Sequence, residues 1–143
     1  MVRLLARDIG ARDIPKIDGE ELEARAFSEH PLLHLWVAEC EGHLIGCLIA
    51  MPTYSTWRGR TGLYVIDLYV DRAKRRLAVG EKLMIRAAQD AYANGLSFIR
   101  LEVTNTNIDA IRFYDRLGFS PAVSDLTLVL EPSQMAQFVK RPF

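Results

Sequence analysis

The sequence predicts an α/β chain of the α+β type, a mixed sheet with helices on its faces. Three observations carry this. Residues 33–39 and 44–53 are apolar-rich runs joined by Glu41-Gly42-His43, the pattern of an antiparallel hairpin. Residues 63–70 form a third apolar strand that leads through Arg75-Arg76-Leu77-Ala78-Val79-Gly80 into an amphipathic stretch over 80–94. The alternating segment 98–103 follows and completes a strand–helix–strand unit.

The elements follow in order. Asp18-Gly19-Glu20-Glu21 supplies an N-cap with an acid three residues on, so a helix runs to about Phe27. Pro52 predicts the end of the second strand or a bulge in it. Residues 55–60 are a polar loop carrying Trp57. In the stretch 80–94, Leu83, Met84, Ala87, Ala88, Ala91 and Tyr92 share one helical face, and Gly95 fits the position just past its end. In 98–103, Ile99, Leu101 and Val103 alternate with Arg100 and Glu102. Residues 108–117 read as a short helix with Asn107 as N-cap and Gly118 beyond its end. A last strand at 126–130 and a short helix at 133–139 finish the chain. With no repeat and no internal linker, residues 1–143 read as one domain.

Composition excludes several functions. Eighteen basic and eighteen acidic residues cancel, so neither nucleic acid nor an anionic membrane is an expected partner. No apolar run approaches the roughly 18 residues of a membrane span. The first eight residues lack the apolar core of a signal peptide. Cys40 and Cys47 flank the hairpin turn without facing each other, which suits reduced thiols in a cytoplasmic protein. His30 and His34 have no third ligand at useful spacing, so no metal is expected.

The run from Arg75 to Gly80 bears on function. A strand that turns through small residues into a helix presents backbone N–H groups and the positive end of a helix dipole, a setting for phosphate. Arg75 and Arg76 add charge at its mouth. The plainer alternative is a polar loop with two solvated arginines. Downstream lies Asn107-Ile108-Asp109-Ala110-Ile111-Arg112-Phe113-Tyr114-Asp115-Arg116-Leu117-Gly118-Phe119.

In this order the two segments resemble the GNAT superfamily of acetyl-coenzyme A dependent N-acetyltransferases. Arg75 and Gly80 fit the ends of the family's Arg/Gln-x-x-Gly-x-Gly/Ala loop, with Ala78 where glycine is preferred. If that position has positive φ, alanine costs on the order of 1 kcal/mol; if it is helical, nothing. Asn107, Ala110, Phe113, Tyr114, Leu117, Gly118 and Phe119 fit the second motif. Core packing accounts for Phe113, Leu117 and Phe119, but not for the hydroxyl of Tyr114. From about Phe27 onward, Phe27-Ser28-Glu29-His30-Pro31, Tyr54-Ser55-Thr56-Trp57 and the strand 63–70 are similar to the spermidine/spermine and thialysine N-acetyltransferase branch. Ile66 departs from that branch, which often has glutamate there, and Ser55 and Thr56 replace its acids.

The resemblance implies a GNAT fold, a mixed and mostly antiparallel sheet with helices on both faces. The chain begins inside the family's first helix, so the N-terminal strand is expected to be missing. It implies acetyl-CoA as co-substrate without a metal, and transfer of its acetyl group to a primary amine of a small molecule. Leu68, Tyr69 and Val70 would splay from 98–103 and hold the pantetheine arm. Arg75, Arg76, Leu77, Ala78, Val79 and Gly80 would hold the pyrophosphate, and Asn107 would reach the pantetheine. Tyr114 would give the leaving thiolate its proton, and Asp67 is a candidate base through water. Tyr54, Trp57 and Asp67 would contact the amine, and Arg58 or Arg60 could meet a substrate carboxylate. With Asp67 the one carboxylate of that stretch, an amine less cationic than spermine is expected. A homodimer is common in the branch. Two alternatives stay open: a coenzyme A binding module without catalysis, and an N-acetyltransferase acting on a peptide.

Overall fold

The computed structural model describes residues 1–11, 15–122 and 130–139. Helices α1 (Val2–Asp8) and α2 (Gly19–Ala26) precede strands β1 (His34–Cys40), β2 (His43–Ser55) and β3 (Arg60–Val70). A 3-10 turn (Arg72–Lys74) leads to α3 (Val79–Ala93), β4 (Ile99–Leu101), α4 (Ile108–Arg116) and α5 (Pro132–Phe138). The strands form one sheet in the order β1-β2-β3-β4, antiparallel except for the β3–β4 pair. This is the mixed, mostly antiparallel sheet that the motifs imply. Most of the strand expected at 126–130 lies outside the described residues.

Local chemistry sets the elements. The Asp18 carboxylate accepts from the backbone N–H of Glu21 at 2.9 Å and starts α2, a cap of about 1 kcal/mol. The hairpin turns on Glu41 and Gly42, with φ of 52° and 76°, the left-handed pair that a two-residue turn needs. β2 does not stop at Pro52, which pairs with Leu63 while the strand runs on to Ser55. β1 begins at His34 opposite Ala50, so among the described residues β2 has a strand on one side only beyond Ala50. A residue without an N–H is tolerated there.

The core lies between α3 and the sheet. Leu83, Met84, Ala87 and Ala91 pack on Leu48, Ala50, Leu63 and Val65. Leu48 is fully buried, and burial of such a side chain stabilises by roughly 1.5–3 kcal/mol. Tyr92, expected on this face, is 82% exposed. Each four-residue step turns a helix about 40° past a full circle, so the row Met84, Ala88, Tyr92 rotates out to solvent. The indole N–H of Trp36 donates to Asp90 at 2.7 Å and ties β1 to α3. Gly95 follows α3 with φ of 78°, as a helix end requires. β4 is shorter than the expected 98–103: Ile99 and Leu101 reach the core, and Val103 lies beyond the pairing. Cys47 pairs with Val37 and Cys40 with His43, and both thiols are free.

Candidate active site

β3 carries an irregularity where the chemistry is expected. Ile49 pairs with Asp67 and Ala50 with Val65, so Ile66 is an extra residue, a bulge in β3. The bulge resets the alternation. Leu63 and Val65 before it, and Leu68 after it, pack toward the core under α3. Asp67 and Tyr69 therefore turn to the opposite face, where α1 packs on β3. β3 pairs with β4 only at Leu63–Ile99, Tyr64–Arg100 and Val65–Leu101. From Ile66 to Val70 the β4-facing backbone edge has no strand partner among the described residues. Pairing with β4 thus ends before Leu68, Tyr69 and Val70.

The turn after β3 is held at several points. Asp71 donates its N–H to the Ile45 carbonyl at 2.8 Å, and its carboxylate accepts from Ala73 at 2.9 Å. Arg75 Nε donates to the Val70 carbonyl at 3.0 Å, and its terminal nitrogen binds the Asp8 carboxylate. Arg75 thus folds back on the end of β3, while Arg76 is exposed with φ of 66°. Ala78 has φ of 57° and ψ of 16°, the left-handed conformation in which alanine is strained by about 1–2 kcal/mol. α3 starts at the next residue, so the N–H groups of its first turn, from Val79 and Gly80, lack intrahelical partners. A Cβ on Gly80 would lie 3.4 Å from Phe113 and 3.6 Å from Val70. Gly80 therefore lets α4 approach the start of α3, with room for one carbon and little more.

Tyr114 lies in α4, edge-on to Phe113 and Phe119 at 5.1 and 5.6 Å between ring centres. It is half-buried, and burial pushes its phenol above the ordinary value. Its hydroxyl has no hydrogen-bond partner among the described residues, which leaves it available to a ligand. Asn107 caps α4 by accepting from Ala110 at 3.2 Å, so its oxygen is used in folding and its amide nitrogen remains. Asp67 is half-buried without an ion pair or hydrogen bond among the described residues, and burial pushes its carboxyl up.

Glu102, just past β4, was legible in the sequence only as part of a polar strand face. Burial first, and then the nearby Glu102 charge, push the Tyr64 phenol up. The Arg100 guanidinium lies 5.6 Å from the Tyr64 ring centre and 3.9 Å from Glu102. The Tyr64 phenol thus feels two carboxylates, Glu102 and Asp67. Asp8 is the other residue that the motifs did not indicate.

Tyr54, Trp57, Arg58 and Arg60 sit elsewhere. Tyr54 pairs with Thr61, six residues before Asp67 on β3, roughly 20 Å at ~3.4 Å per residue. Trp57 is 99% exposed at the tip of the β2–β3 hairpin. Arg58 lies 5.3 Å from the Phe98 ring centre. A shallow depression of about 380 Å³ is lined by Tyr54, Gly59, Arg60, Thr61, Gly95 and Ser97 at this end of the sheet. Asp67 lies on β3 two residues past its last rung with β4, and Tyr114 packs on Phe113, Phe119 and the core. Among the described residues no group of three or more His, Cys, Asp or Glu could hold a metal, and no helix is long and apolar enough to cross a membrane.

Comparison with known proteins gives the family. Residues 5–119 match the Acetyltransferase (GNAT) family. Thialysine N-epsilon-acetyltransferase of Sus scrofa is 35% identical over 126 residues, covering 82% of this chain and 74% of that protein. Streptothricin acetyltransferase of Streptomyces lavendulae is 32% identical over 120 residues, covering 84% and 57%. A solved aminoglycoside acetyltransferase from an uncultured soil metagenomic sample superposes with TM-score 0.74 at 20% identity, covering 91% and 86%. An integron cassette protein from the mobile metagenome of V. cholerae gives TM-score 0.78 at 19% identity, covering 98% and 87%. These two structures share the fold. The chain belongs to the GNAT acetyltransferase family.

Proposed function

We propose that the chain transfers an acetyl group from acetyl-CoA to the primary amine of a small molecule. The observation that carries this is the divergence of β3 from β4 after Val65 and Leu101, bordered by Asp67 and by the turn into α3. The backbone edge over 66–70 suits an extended amide-bearing arm. The N–H groups at the start of α3, with exposed Arg76, suit a pyrophosphate. Acetyl-CoA is the family's co-substrate and supplies an activated acetyl group as a thioester.

The chain's own residues divide the work. Holding both reactants in one cleft removes the entropy cost of a bimolecular encounter. Backbone N–H groups beside the bulge polarise the acetyl carbonyl. Asp67, its carboxyl raised by burial, takes the proton of the incoming ammonium directly or through one water. The Tyr114 hydroxyl donates a hydrogen bond, and in the limit its proton, to the departing sulfur. A phenol near pKa 10 facing a thiol near 8.5 makes full transfer uphill by about 2 kcal/mol. Burial adds to that, so hydrogen bonding to the sulfur carries much of the effect.

The amine is smaller or less cationic than spermine. Ile66 is 42% exposed beside Asp67, and an apolar group there favours an acceptor with an apolar portion near its amine. Named relatives act on thialysine and streptothricin, which supports a small-molecule acceptor. A homodimer and a cytoplasmic setting, carried by the branch resemblance and the free thiols, complete the reading. Incubation with acetyl-CoA and a set of amines, followed by mass spectrometry, tests it: acetylated small amines support it, and acetylated peptide alone refutes it.

A further inference from the structure

The coenzyme loop is anchored by a carboxylate from α1. Asp8 is the last residue of that helix, where an acid meets the negative end of the helix dipole. Its side chain is only 4% exposed, so it also gives up water. Guanidiniums offset both penalties: Arg7 Nε stands 4.0 Å from one carboxylate oxygen, and two others come closer. Arg72 Nε lies 3.0 Å from one carboxylate oxygen, and a terminal nitrogen of Arg75 binds the other. The first oxygen has Arg72 as an ion-pair neighbour without a well-aligned hydrogen bond. Arg75 at the same time holds the Val70 carbonyl, so one side chain joins α1, the end of β3 and the loop. Just downstream, Arg76 and Ala78 both have positive φ. Two non-glycine residues in that region need external support to persist.

We propose that Asp8 is a positioning residue for the coenzyme. By clamping Arg72 and Arg75 it holds residues 75–80 in the conformation whose backbone N–H groups receive the pyrophosphate. The inference rests on the assignment of that loop made above. The opposite role, a carboxylate that competes with phosphate for Arg75, predicts the opposite sign.

Asp8→Asn keeps the size and removes the charge. Steady-state rates are measured with acetyl-CoA and with acetyl-pantetheine, which lacks the pyrophosphate and nucleotide, using one amine for both. The KM for acetyl-CoA rises about tenfold, the scale of one charge-assisted hydrogen bond. The kcat stays within about twofold, since no reacting atom is touched. The KM for acetyl-pantetheine is unchanged, which also shows that the variant is folded, and Asp8→Glu recovers part of the loss. An unchanged or lower KM for acetyl-CoA, or equal losses with both donors, overturns the proposal. If the parent protein does not prefer acetyl-CoA to acetyl-pantetheine, the loop assignment itself has failed. If it does and Asp8→Asn keeps that preference, only the role of Asp8 has failed.

Discussion

Val65 and Leu101 form the last rung shared by β3 and β4, and the next residue of β3, Ile66, is the extra residue of its bulge. The two irregularities act together. The lost pairing opens a backbone edge, and the bulge turns Asp67 away from the core face. A strand of regular pleat would place Asp67 on the same face as Leu63 and Val65, under α3.

Tyr114→Phe leaves acetyl-CoA binding nearly intact and lowers kcat by roughly 10²-fold or more, the range for one proton donor. Phenylalanine keeps the edge contacts with Phe113 and Phe119, so stability changes little. Calorimetry of coenzyme binding beside steady-state kinetics checks both parts. Turnover at the parent rate would make Tyr114 a packing residue and strengthen the view of a binding module.

Asp67→Asn trades activity for stability. Burial raises the folded carboxyl above its ordinary value of 3.8, so the native state binds that proton more tightly than the unfolded chain does. Stability therefore falls as pH rises from about 3.8 through the raised folded value. Asparagine carries no such cost, so at pH 7 the variant melts higher while kcat/KM drops. Its rate also loses the acidic limb that Asp67 sets above the ordinary carboxylate range. A variant that melts lower with an unchanged pH profile contradicts this role.

Ala78→Gly stabilises the chain. Relief of a left-handed alanine gives about 1–2 kcal/mol, against about 0.4–1 kcal/mol of added freedom in the unfolded state. The net gain is about 0.5–1 kcal/mol, read from thermal or urea unfolding. A lower melting temperature would show that Ala78 is unstrained.

Much of this was legible in the sequence, because local rules governed it. The Asp18 cap, the Glu41-Gly42 turn, the Asn107 cap and the face of Leu83, Met84, Ala87 and Ala91 each follow from neighbours within one turn or one strand pair. The bulge at Ile66 was not legible, since Leu63 to Val70 is apolar on nearly every position and shows no break in alternation. The extent of β2 past Pro52 depended on where β1 begins, a long-range fact. The pairing of Asp8 with Arg72 and Arg75 bridges more than sixty residues, and no motif connects α1 to the turn. Resemblance alone assigns Tyr54 and Trp57 to the amine, and strand geometry sets the Tyr54–Thr61 rung roughly 20 Å along β3 from Asp67.

Release of coenzyme A thiol from acetyl-CoA, followed with simple monoamines, lysine analogues, spermidine, spermine and a peptide α-amine, tests the central claim most directly. The account predicts turnover with one or more of the small amines and a kcat/KM for spermine below the best of them. Coenzyme binding without thiol release for any acceptor, or release with the peptide alone, would contradict it.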